Sequence, residues 1–154
     1  MFQVGDKVVY PVHGAGVIEA IEEKEVLGEN KQYFIIKLSI NNLQIMIPVE
    51  NASKLHLRSV VDQSALENAI NIFLNGETES GLALKERIKL NEGKIKSGKL
   101  QESVEVVRDL TRINEEKALN SQEKNLLNKA RGILYSELVL VDGITDNQMK
   151  TFSF

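Results

Sequence analysis

The chain has no cysteine and no tryptophan among its 154 residues, only two prolines and two histidines, and no long apolar run. Without cysteine there are no disulfides, no thiolate metal sites and no cysteine nucleophile. No stretch approaches the roughly 20 apolar residues that a membrane helix needs. Charge arrives as early as Asp6 and Lys7, which predicts that no signal peptide is present. With His13 and His56 as the whole histidine complement, no Ser/His/Asp arrangement or histidine-rich metal cluster is recognisable. These absences predict a cytoplasmic protein with no cofactor and no catalytic residues.

What charge there is falls unevenly. Residues 1–84 hold six Lys/Arg against eleven Asp/Glu (net −5), and residues 85–154 hold thirteen against eleven (net +2). The densest basic piece, "KERIKLNEGKIKSGK" from Lys85 to Lys99, has six basic and two acidic residues. Such asymmetry suggests two halves with different partners.

Hydrophobic periodicity also divides the chain in two, at an earlier point. From Val4 to Leu57 it reads as short strands: "KVVYP", then "GVIEAIEEKEV" with Val17, Glu19, Ile21 and Glu23 alternating, "KQYFIIKLSI", and "LQIMIPV". "LGEN" (Leu27–Asn30) and "NN" (Asn41, Asn42) are turn signals between them. Strands so short with turns so close predict a small, strongly bent antiparallel barrel. After Asp62 the period becomes helical. Asp62 or Ser64 is the candidate N-cap of the first helix, with Gly76 just beyond its end. "TESG" (Thr78–Gly81) is a loop. The next helix places Leu84, Ile88, Asn91 and Ile95 on one face and offers Gly98 as its C-cap. A third repeats Leu100, Val104, Val107 and Leu110. A fourth opens with an Asn120-x-x-Glu123 box and sets Leu127, Ala130, Leu134, Leu138 and Val141 along one stripe. The fold class expected is α+β in two domains: a barrel over residues 1–60 and an all-α bundle of four to five helices over 61–154.

Candidate sites follow from the same residues. His13-Gly14-Ala15-Gly16 has the glycines of a phosphate loop, but a strand rather than a helix follows and no Lys-Ser/Thr pair is present. The glycines therefore serve a turn or bulge. Glu19, Glu22, Glu23, Glu25 and Glu29 lack the histidine or Asp-rich loop of a metal site and read as a solvated face. The basic helix is more informative. Lys124, Lys129 and Arg131 extend its patch if their helix lies beside it, and duplex phosphate is the leading ligand. Residues 74–134 contain no aromatic side chain to stack on single-stranded bases.

"VGDKVVYPVHGAGVIEAIEEKEVLGENKQYFIIKL", "IPVENASKLHLRSVV" and "SGKLQESVEVVRDLTRINEEKALNSQEKNLLNKARGILYSELVLV" together resemble the CarD/CdnL family of bacterial transcription regulators over nearly the whole chain. The resemblance implies a Tudor/SH3-like barrel that docks on the RNA polymerase β subunit by edge-strand addition, here through Lys24, Ile35, Ile36, Ile45, Met46 and Ile47. It implies a helical domain that contacts promoter double-stranded DNA at the upstream edge of the bubble through Leu84, Lys85, Arg87, Lys89, Lys124, Lys129 and Arg131. Family members carry a tryptophan wedge where Leu84 stands, and some carry polymerase-facing arginines where Lys24 and Met46 stand. The implied protein is a non-enzymatic, nucleoid-associated monomer that stabilises the open promoter complex, with no membrane or small-molecule partner. The alternative is a protein–protein adaptor on polymerase with no direct DNA contact.

Overall fold

The computed structural model describes residues 1–79 and 81–154. The amino-terminal part is one antiparallel sheet of five strands: β1 (Lys7–Tyr10), β2 (Gly14–Val26), β3 (Glu29–Leu38), β4 (Gln44–Pro48) and β5 (Arg58–Ser59), in the order β4-β3-β2-β1-β5. Five helices follow: α1 (Gln63–Asn75), α2 (Leu84–Lys96), α3 (Leu100–Glu116), α4 (Ser121–Leu138) and α5 (Asp146–Thr151). This is the expected α+β architecture. Among the described residues β4 and β5 are not paired with each other, so the sheet is open at both ends. A 3₁₀ turn at Val49–Asn51 leads into the segment that contributes Ala52 and Leu57 to the sheet's core beside Val8, Ile18, Phe34, Ile36 and Ile47.

The strands are longer than the turn spacing predicts. β2 and β3 form a hairpin of thirteen and ten residues, closed by Leu27 (φ 53°) and Gly28 (φ 79°). Both turn residues are left-handed, as a two-residue hairpin turn requires. The outer half of β2, Glu22–Val26, is wholly exposed, so no buried–exposed alternation marks its length in the sequence. Within β2 the register shifts between Ile18 and Ala20, so Ile18 and Ile21 both face the core while Glu19 and Ala20 occupy the outer face. A strict two-residue alternation from Val17 to Glu23 does not survive this bulge.

The glycines near the start of β2 turn out to be packing residues. The chain turns at Pro11–His13, and Gly14 and Gly16 lie within β2, paired with Tyr10 and Val8. A Cβ on Gly16 would overlap the Lys37 carbonyl, and one on Gly14, at φ 107°, would lie 2.9 Å from Ser136 Oγ.

The helices carry a second core built on Val104, Val106, Val107 and Leu110 of α3, with Leu66, Ala69, Ala130, Leu134 and Phe152. The predicted α3 stripe is buried throughout, and so are Ala130, Leu134 and Leu138 of the α4 stripe. Asp62 caps α1, accepting from Ala65 N at 2.9 Å. Gly98, at φ 72°, follows the last turn of α2 and donates to Ile95 O at 3.3 Å. Arg108 and Arg112 hold the end of α1 by donating to the carbonyls of Ile72, Phe73, Gly76 and Glu77, cations set at the negative end of the helix dipole. The loop expected over Thr78–Gly81 lies partly outside the described residues.

Sheet and helices meet along α4. Ala15 N donates to Ser136 Oγ (2.9 Å) and Ser39 Oγ donates to Ser136 O (2.8 Å). Among the described residues no helix is long and apolar enough to cross a membrane.

Candidate nucleic-acid and partner interfaces

On the sheet, strand pairing decides which side chains a partner can reach. Ile18, Ile36 and Ile45 align across β2, β3 and β4, and so do Ile21, Phe34 and Ile47; both rows face the core. Ile36 and Ile47 are 0% and 2% exposed, so their side chains are closed to any partner. The bulge at Glu19 builds a different row on the opposite face, Ala20, Ile35 and Met46, in which Ile35 is also buried. Met46 stands 46% exposed at its end. β4 is one edge strand and the two-residue β5 the other, whereas β3, the "QYFIIKLSI" run, has neighbours on both sides. Of the runs that carry the implied polymerase-facing isoleucines, only "LQIMIPV" has a free edge. Lys24 is exposed near the hairpin tip and pairs with Glu22 at 3.4 Å. The acidic run from Glu19 to Glu29 is exposed throughout, and among the described residues no group of three or more His, Cys, Asp or Glu side chains could hold a metal.

The helical candidates separate into groups. On α2, Lys85, Lys89 and Lys96 are exposed, and their spacing of four and eleven residues keeps them within about 40° of one another round the helix. Leu84, the first residue of α2, is 44% exposed, while Ile88, Asn91 and Ile95 are buried. Its place in the helical repeat suggests core, but as the first helical residue it leans toward the N-terminus, where no preceding turn covers it. It lines a cleft of about 320 Å³ with Arg87, Ile113 and Lys117–Asn120.

Arg87 is engaged elsewhere. Its Nε and Nη2 donate to Glu123 Oε2 and Oε1 at 2.8 and 2.7 Å, and the Glu123 side chain is 2% exposed. This charge-assisted bond holds the guanidinium above its already strongly basic range, against the opposing effect of burial. Glu123 was legible only as one half of a capping box. Asn120 does accept from Glu123 N at 2.9 Å, but the Glu123 carboxylate turns away to Arg87.

Lys129 faces α2, lining a groove with Glu92, Ile95 and Lys96, and Val12 joins them from the β1–β2 turn. Lys124 lies about 140° round α4 from Lys129, and Arg131 returns to within about 20° of Lys124. Arg131 donates to Ser153 O at 3.2 Å and stacks over Phe154 at 4.7 Å, so it ties down the carboxy-terminal residues. The seven DNA candidates therefore do not form one face: Lys85 and Lys89 share a row with Lys96 on α2, and Lys129 meets that row at Lys96, beside Glu92. Sequence reading missed Lys96, although the spacing from Lys85 carries the signal.

The arrangement defines a two-part α+β protein with an open, apolar-faced sheet edge and a separate lysine-lined helix. Comparison with known proteins fits both parts. Residues 2–61 match the CarD-like/TRCF RID domain, and residues 65–152 match the CarD C-terminal domain. The chain is 51% identical over 152 residues to the "Putative transcription factor YdeB" of Bacillus subtilis (strain 168), covering 99% of each chain. The chain belongs to the CarD family, and with it to the proteins of transcription.

Proposed function

We propose that this protein is a non-enzymatic regulator that docks on the β subunit of RNA polymerase through β4 and lays α2 against promoter duplex at the upstream edge of the bubble, stabilising the open complex. The division of labour falls near residues 60–61, and the work is done at the nucleoid. The free edge of β4, with Met46 exposed on the outer face beside it, suits strand addition. Lys85, Lys89, Lys96 and Lys129 take the phosphates, while Arg87 and Arg131 are held by the protein itself. A chain already tethered to polymerase needs only a weak DNA contact, which fits a formal net charge of −3.

The observation that carries this reading is Leu84, 44% exposed at the head of the lysine row. An apolar side chain in that place can wedge a base step. The test is a footprint and an off-rate measurement on purified polymerase–promoter complexes. A protected upstream bubble edge, with a salt slope of at most about −3.6 from four phosphate contacts, supports the reading. An unchanged footprint, with retention on polymerase that survives nuclease, is the result expected of an adaptor without DNA contact.

A further inference from the structure

Helix α4 carries two buried carboxylates, Glu123 and Glu137, 1% and 3% exposed. Fourteen residues separate them, which sets them on one face of α4 about 21 Å apart. Each receives an arginine fork from a different part of the molecule. Glu123 takes Arg87 from the first turn of α2, at 2.8 and 2.7 Å. Glu137 takes Arg58 from β5, at 2.7 Å on both branches, and also accepts from Val61 N at 3.1 Å. The remaining Arg58 donor, Nε, reaches Gly98 O at 2.8 Å, in the turn that ends α2. Gly98 itself sits against Pro11, where a Cβ would come within 2.6 Å of the proline ring. One end of α2 is thus fastened to α4, and the other to the sheet and, through Arg58, to α4 again.

Buried ion pairs add little net stability, because desolvating two charges offsets most of their attraction. Their forked geometry does fix relative position. We infer that the Arg58–Glu137 and Arg87–Glu123 pairs hold α2 at a set distance and angle from the polymerase-facing sheet, so that a docked chain presents Leu84 and its lysines to DNA in a single geometry. All four are positioning residues, and Arg87 is not a phosphate ligand. The inference rests on the proposed function: two linked contacts reinforce each other only when their spacing matches both sites.

Arg58→Lys and Arg87→Lys keep the charge and lose the fork; Glu137→Gln removes the charge. In the full chain, polymerase affinity without DNA, duplex affinity without polymerase, and open-complex lifetime are measured for each variant. The expected result for Arg58→Lys and Glu137→Gln is that both separate affinities stay within about twofold while the lifetime gain drops by about tenfold, part of the roughly 10²–10⁴ that matched geometry supplies. Arg87→Lys keeps the wild-type salt slope, whereas Lys89→Ala lowers its magnitude by about 0.9. If Glu137→Gln unfolds, the paired Arg58→Met/Glu137→Leu variant leaves no uncompensated charge, and the same split is expected. An unchanged lifetime, separate affinities that fall in step with it, or a shallower slope for Arg87→Lys would each overturn the inference. A wild-type chain that binds neither polymerase nor duplex would instead remove the proposed function, and that is established before any variant is compared.

Discussion

Three glycines of similar appearance in the sequence have opposite roles in the structure. Gly16 sits where β2 crosses β3 so closely that a methyl group would collide with the Lys37 carbonyl. Gly76 leaves room for the Arg108 guanidinium at the end of α1. Gly93 lies inside α2 with nothing within 4 Å of its missing Cβ. We therefore predict that Gly93→Ala raises stability by about 1 kcal/mol, the helix propensity difference, and that Gly16→Ala lowers it, both read from denaturant midpoints. Leu84 allows a similar contrast. Since it is half exposed, Leu84→Ala should cost about 1 kcal/mol or less, against about 2–5 for Leu110→Ala in the α3 core. As a partial wedge it should nonetheless shorten open-complex lifetime, and Leu84→Trp, with its larger apolar face, should lengthen it at unchanged melting temperature. A large stability loss in Leu84→Ala would return the residue to the core. The place of Gly76 at the end of α1 and of Leu84 at the head of α2 was legible, but the packing was not: glycine names a freedom, and only the neighbouring strand or helix says whether the freedom is used.

At the scale of elements, the sequence was most informative where burial is one-sided. The α3 stripe and most of the α4 stripe could be read directly, because a helix with one buried face writes a 3.6-residue period. The β2–β3 hairpin was harder. Its outer half is solvated on both faces, and its inner half contains a bulge that breaks the two-residue rhythm. The same bulge sets Ala20 beside Ile35 and Met46, and so the outer row could not be found by alternation. A charge placed in that row should disturb the edge without touching the core. Met46→Asp is expected to weaken binding to the polymerase β subunit by about tenfold or more, as for a desolvated interface residue, with melting temperature unchanged. Equal binding by Met46→Asp would move the docking surface away from β4.

Across the whole molecule, the change of period after Asp62 was visible, but the contacts that join the two parts were not. Arg58 and Glu137 are 79 positions apart, and nothing in either neighbourhood marks them as partners. Pairing of this kind depends on tertiary approach, which local patterns do not encode. Within the helical part, the α2–α4 contact has a definite pH behaviour on the basic side. Arg87 has its basicity raised by Glu123, so its contribution is fully present below its unfolded pKa and is lost only as pH rises through the still higher folded value. Alkaline pH up to about 10 should therefore leave the α2–α4 contact intact, measured as unchanged hydrogen exchange at the first turns of α2 after correction for the intrinsic rate.

The most direct test of the proposal that this protein grips polymerase and promoter together is the lifetime of open complexes after competitor challenge, formed by purified polymerase with and without the full chain. The expected result is a longer lifetime with the wild-type chain and a smaller gain with Leu84→Ala or Met46→Asp. An identical lifetime with and without the chain, under conditions in which it is bound to polymerase, would contradict the account.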